Sequence, residues 1–174
     1  MWKPIPSGTS AQIQDIWGSS NALVGGDVVL MAAAEKFQMG EKKIIRAKAG
    51  GVIDTMGWQA VDYRPIHSIW FDNNSSIFLC GTGVFSFDGR GWSEITEVPF
   101  CFTNRIRGNS GSDIIVVGDF GMVAHFNGST WHNYPEVMLP AGQYNSVAIK
   151  GNTVIAVGII AGSSKAAVLI ARRR

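Results

Sequence analysis

Charge, histidine and cysteine are all scarce in this chain, and each shortage removes a class of function. Only 16% of the 174 residues are charged and the formal net charge is +2, too near neutrality to drive binding to nucleic acid. The Arg172–Arg174 tail is the one locally basic run, and terminal charges of this kind ordinarily stay solvated. His67, His125 and His132 are the only histidines, and none forms an HxH or HExxH pair of metal spacing. Cys80 and Cys101 lie in or near apolar runs with no CxxC pair, so they read as buried thiols rather than as disulfide partners or metal ligands. No cofactor is expected, because no phosphate loop with its Lys is present and the glycines of GTGVFSFDG at 81–89 are followed by no helix signal. The longest apolar stretches, Val28–Ala34 and Val154–Gly162, fall far short of the roughly 20 residues a membrane-spanning helix needs. Met1–Pro6 lacks the apolar core of a signal peptide. The expectation is a soluble chain with no membrane partner and no export by the usual route; its final location is left open.

What the chain has in quantity is apolar residues (46%), 21 glycines and 6 tryptophans, a balance that suits many short strands joined by tight turns. The order repeats. Residues 66–92 read IHSIWFDNNSSIFLCGTGVFSFDGRGW and residues 103–131 read TNRIRGNSGSDIIVVGDFGMVAHFNGSTW. Both run apolar strand, polar turn, apolar strand ending in Gly, short turn, alternating strand, then Asp-Gly or Asn-Gly and Trp. IQDIWGSSNALVGG at 13–26 and NSVAIKGNTVIAVG at 145–158 carry a more worn copy. Trp2, Trp58, Trp92 and Trp131 mark the phase, each opening an outer strand, at a spacing near the roughly 40–50 residues of a four-stranded propeller blade. Asp88-Gly89 and Asn127-Gly128 predict two-residue hairpin turns. Ile77–Cys80, Ile114–Val117 and Val154–Val157 are apolar throughout, which predicts second strands buried on both faces.

The fold class read from this pattern is all-β, a single β-propeller over residues 1–174 with four blades of four antiparallel strands. Trp2–Ile5 is expected to pair with the last three strands and close the ring. Half of an eight-bladed ring made by two chains fits the same tally. The first unit carries extra length at about 27–57, read as an insertion: an elongated hairpin turning at Met39-Gly40-Glu41, or a short helix from Ala32 followed by a strand. Insertions in repeat proteins are often where binding happens.

IWGSSNALVGG, IFLCGTGVFSFDGRGW and DIIVVGDFGMVAHFNGSTW resemble the degenerate β-propeller repeats of bacterial and phage proteins. They are similar to the repeats of photosystem II assembly factor-like and sialidase-like propellers, and more loosely to kelch and tectonin-type lectin repeats. The resemblance implies a fold rather than an activity. Ser86, Asp88 and Trp92 look like a shortened sialidase Asp box, with Arg90 where its Gly belongs.

No spacing assembles a catalytic set. Arg64, Arg105, Arg107, Tyr63, Tyr144, Glu94 and Glu97 are the residues a sialidase-like reaction would draw on, yet nothing in their order groups them. Arg105 and Arg107 stand two apart on a predicted innermost strand, hence on one side of it. The equivalent positions are Asp15 and Trp17, Ser68 and Trp70, and Ser146 and Ala148. The candidate binding residues are therefore Asp15, Trp17, Trp70, Arg105 and Arg107, lining a central channel, with local pairing of an Arg to Asp15 or Asp113 as the competing reading. The function expected is non-enzymatic: an interaction module that binds another protein or an assembly surface, as a structural or adhesion part of a larger assembly such as a phage virion. A glycan-binding lectin is the alternative, and a glycoside hydrolase, which needs two carboxylates in one cleft, the third reading.

Overall fold

In the computed structural model, residues 6–19, 29–35, 42–48, 53–57, 64–73 and 76–172 are described. They form β-sheets almost throughout, with a single 3-10 turn at Pro135–Val137. No helix among the described residues is long and apolar enough to cross a membrane.

Four sheets follow one another along the chain. Blade 1 is β1 (Gln12–Ser19), β2 (Val29–Glu35), β3 (Lys42–Lys48) and β4 (Ile53–Gly57); blade 2 is β5 (Ile66–Asn73), β6 (Ser76–Gly81), β7 (Gly83–Phe87) and β8 (Trp92–Glu94). Blade 3 is β9 (Thr103–Ser110), β10 (Asp113–Gly118), β11 (Val123–Phe126) and β12 (Trp131–Asn133), and blade 4 is β13 (Gly142–Lys150), β14 (Thr153–Ile160) and β15 (Lys165–Arg172). Each sheet is an antiparallel meander in sequence order. The innermost strands β1, β5, β9 and β13 pack side by side in that order, as blades of a propeller do.

Several expectations shift. The described part of 27–57 supplies β2, β3 and β4, so its extra length builds the remaining strands of blade 1 and Ala32–Glu35 is strand rather than helix. The turn at Met39–Glu41, the segment Asn21–Gly26, and the strands expected at Trp2–Ile5 and Trp58–Val61 lie outside the described residues, as does Tyr63. Blade 4 has three described strands rather than four, and among the described residues β13 does not pack on β1 as β9 packs on β5.

The hairpins at Asp88 and Asn127 are also longer than two residues. Phe87 pairs with Trp92 and Phe126 with Trp131, leaving 88–91 and 127–130 as loops. The Asp88 carboxylate accepts the N–H groups of Arg90 and Gly91 at 2.8 and 2.9 Å, and the Asn127 Oδ1 accepts those of Ser129 and Thr130 at 2.9 Å. Side-chain acceptors thus take over the donors a tighter turn would have paired. Gly89 and Gly128 sit at φ of 91° and 96°, where a side chain is strained.

β6 and β10 are buried on both faces, as their sequences predict. β14 is not: Val154 and Ala156 are buried against blade 3, while Ile155, Val157 and Ile159 are exposed. No described segment covers its outer face. The glycine that recurs at one position in the second strands of blades 2, 3 and 4 has a steric reason. A Cβ on Gly81, Gly118 or Gly158 would fall about 2 Å from the carbonyl oxygen of Pro65, Phe102 or Gln143, so only Gly admits the neighbouring strand this close.

Candidate functional site

Every innermost strand carries a bulge at one position, between Ile13 and Asp15, Ile66 and Ser68, Thr103 and Arg105, and Tyr144 and Ser146. The bulge re-aims the next side chains, and it brings Asp15, Ser68 and Arg105 together from three blades. Asp15 is the hub. Its carboxylate accepts from Arg105 Nη1 at 2.5 Å, from Arg107 Nη1 and Nη2 at 3.0 and 3.1 Å, from Ser68 Oγ at 2.6 Å and from the Ile69 N–H at 3.1 Å. Burial alone would raise this carboxyl group, but the hydrogen bonds from Arg107 and Ser68 and the Arg107 charge outweigh it and hold it below the ordinary carboxylate range. Arg107 also donates to the Ile69 and Ile106 carbonyls, and its guanidinium lies 4.8 Å from the centre of the Trp17 ring, a cation–π distance.

Four of the five predicted residues, Asp15, Trp17, Arg105 and Arg107, therefore meet in one cluster. It is an ion-paired network holding blades 1, 2 and 3 together, the local pairing that competed with an open channel site, although Arg105 Nε within it is buried without a partner. Trp70 is elsewhere. It is 2% exposed, packs with Phe78, Val84 and Ile106, and lies so close to Gly108 that a Cβ there would come within 2.7 Å of the ring. Its predicted role as a ligand platform is corrected on that account: an inner-strand position can face the next blade as readily as the channel.

The residues named for sialidase-like chemistry do not converge. Arg64 pairs with Glu94 at 2.5 Å beside Phe85 and Phe100, whereas Arg105 and Arg107 share Asp15. Tyr144 is buried and donates to the Val137 carbonyl. His125 bonds Asp113, which also accepts from Asn109. Cys80 and Cys101 are unbridged; burial pushes Cys80 up to about 12 and Cys101 up to about 11.

A second feature was not anticipated. Because the strands of a blade alternate in direction, the turn from second to third strand and the connection to the next blade share one end. There, Pro99, Phe100, Cys101, Phe120, Met122, Tyr134 and Met138 line an apolar hollow of about 320 Å³. Phe100, Phe102, Phe120 and Met138 remain exposed around it. Phe120 holds φ 59° in the turn 118–122, pinned by Asp119 N–H to Phe102 O at 2.9 Å and Leu139 N–H to Phe120 O at 2.8 Å. A left-handed backbone at a bulky residue is strained. Asn133, also on the wall, donates to the Glu97 carbonyl at 2.9 Å while its Oδ1 is buried without a partner. Sequence signals existed for this site: an aromatic inside the turn Asp119-Phe120-Gly121, and the apolar run Pro99–Phe102 where a polar loop would be ordinary.

No family model matches the chain, and no curated protein does. Among solved structures it is similar to one titled "YCF48 bound to D1 peptide", with a TM-score of 0.66 at 10% identity. The match covers 96% of this chain and 52% of that one, so the chain spans about half the length of the protein it matches. This likeness shows a β-propeller-like fold and nothing finer.

Proposed function

We propose that the chain is a non-enzymatic protein-interaction module whose docking site is the apolar hollow at the end of blade 3, between its β10–β11 turn and the connections that enter and leave the blade. Its ligand is an extended peptide segment with a large apolar side chain. The observation that carries this reading is Phe120, 56% exposed and held at φ 59° on the lip of the hollow. Displaying an aromatic there costs backbone strain and solvent-exposed apolar area, and neither is repaid within the fold. The chemistry fits a peptide: an apolar side chain fills the hollow and a main-chain N–H reaches the unpaired Asn133 Oδ1. The peptide-bound state of the similar propeller agrees with this reading. Membership of a larger assembly such as a phage particle is a finer proposal, resting on the repeat resemblance alone. The lectin reading loses its platforms, since Trp70 is core and Trp17 is covered by Arg107.

A random peptide library panned on the immobilised chain tests the proposal. Binders enriched in Phe, Leu or Trp, with affinity lost at least tenfold in Phe120→Gly, are expected. Glycine relieves the left-handed strain, so this variant keeps or gains stability, and lost binding cannot be ascribed to unfolding. Selected peptides that bind Phe120→Gly as well as the wild type contradict the assignment.

A further inference from the structure

The two ends of the blade series carry faces that match each other. Ile69 on β5, Ile106 on β9 and Val147 on β13 stand at one repeat position, two ladder steps past the residue before the bulge. Each is buried in a cluster with the preceding blade: Ile69 with Ile44, Ile106 with Phe78 and Cys80, Val147 with Ile115 and Val117. The residue at that position on β1 is Ile16, which no described blade covers and which is 55% exposed; Ile13 on the same face is exposed as well.

Blade 4 shows the other half of the same interface. Gly81, Gly118 and Gly158 align, so Ile155 and Val157 occupy the positions of Phe78 and Cys80 in blade 2 and of Ile115 and Val117 in blade 3. In blades 2 and 3 these residues cover the next innermost strand; in blade 4 they are exposed. Ile155 pairs across the ladder with Ile170 and Val157 with Val168, and Val168 and Ile170 are 62% and 64% exposed. A sheet this apolar on both faces is built to be covered on both.

Hydrogen bonds repeat the pattern. The bulged residues of blades 2 and 3 donate to the carbonyl just before the bulge of the next innermost strand: His67 Nδ1 to Thr103 O at 3.2 Å, which requires the Nδ1–H tautomer, and Asn104 Nδ2 to Tyr144 O at 3.0 Å. Asn145 is the next residue in the series and is exposed. The equivalent carbonyl belongs to Ile13.

We infer that two copies of this chain associate head to tail, blade 4 of each covering blade 1 of the other. Ile155 and Val157 then bury Ile16 of the second copy as Ile115 and Val117 bury Val147, and Asn145 reaches the Ile13 carbonyl. A two-fold axis makes both contacts at once and closes a ring of eight blades with no apolar face left over.

Light scattering after size exclusion, across a concentration series, tests this with three samples. The wild type should have twice the mass of an 18.8 kDa chain. Ile16→Glu and Ile170→Glu, both at exposed positions, should keep the wild-type circular dichroism. Each should weaken the dimer about a hundredfold, because either change spoils both contacts of the ring. Mixing the two variants restores one intact contact and part of the dimer. A wild type that stays monomeric throughout, as expected if another polypeptide covers these faces, overturns the inference. So does a dimer lost in Ile170→Glu but kept in Ile16→Glu, which would mean that blade 4 meets blade 4.

Discussion

Replacing Asp15 with Ala would remove the only carboxylate from a cluster that holds two guanidinium groups. Five hydrogen bonds converge on it, three of them from Arg105 and Arg107. Removing one partner of a buried ion pair costs about 3–5 kcal/mol, because the remaining charge is left uncompensated. The Asp15 side chain is 6% exposed but those of Arg105 and Arg107 are 26% and 15% exposed, so water recovers part of the loss. The lower end, about 3 kcal/mol, is therefore expected, out of a total of about 5–15 kcal/mol for a domain. That corresponds to roughly 6–12 °C in Tm at this chain length. Urea unfolding followed by tryptophan fluorescence should show a lower midpoint with an unchanged slope. The sign with pH follows from the depressed folded-state pKa of Asp15. Its contribution is fully present above the unfolded value, near about 3.9, and disappears as pH falls through the lower folded value. The stability difference between wild type and Asp15→Ala should be constant from neutral pH down to about 4 and should close only below it. A difference under about 1 kcal/mol at pH 7, in the range of an exposed ion pair, would refute the hub.

Thr103, fully buried, shares its one hydroxyl proton between Gly81 O and Gly83 O and accepts the Gly81 N–H. Thr103→Val should cost about 1–3 kcal/mol by leaving these groups unpaired, with Thr103→Ser recovering most of it in the same urea titration. Cys80 and Cys101, pushed up to about 12 and about 11 by burial, should react with a thiol reagent at pH 8 far more slowly than after denaturation; rapid labelling of the native chain would contradict their placement.

The repeat was legible because its signals are local. Asp88-Gly89, Asn127-Gly128, Trp92, Trp131 and the apolar runs at 77–80 and 114–117 all act within one blade, and blades 2 and 3 follow them closely. Blade 1 was hard to read because Gly25-Gly26 resembles the glycine ending of a second strand, whereas β2 runs from Val29 and has Ala34 at the position of that glycine. Asp15, Arg105 and Arg107 could be placed on equivalent strand positions from the repeat, but whether they faced a ligand or each other depended on how three blades converge. The hollow at Phe120 was illegible for a related reason: its walls come from segments before β9, before β13 and within one turn. The uniform apolarity of Val154–Val157 announced two buried faces, and only the exposure of Ile155 and Val157 reveals that no described segment covers one of them.

The claim that the hollow at the end of blade 3 is the docking site is tested most directly by methyl NMR of the chain titrated with a library-selected peptide. Shifts should concentrate at Met122, Met138 and Val123, leaving Ile155, Val168 and Ile170 unmoved. Shifts confined to blade 4, or none at Met122 and Met138 when the peptide is bound, would contradict the account.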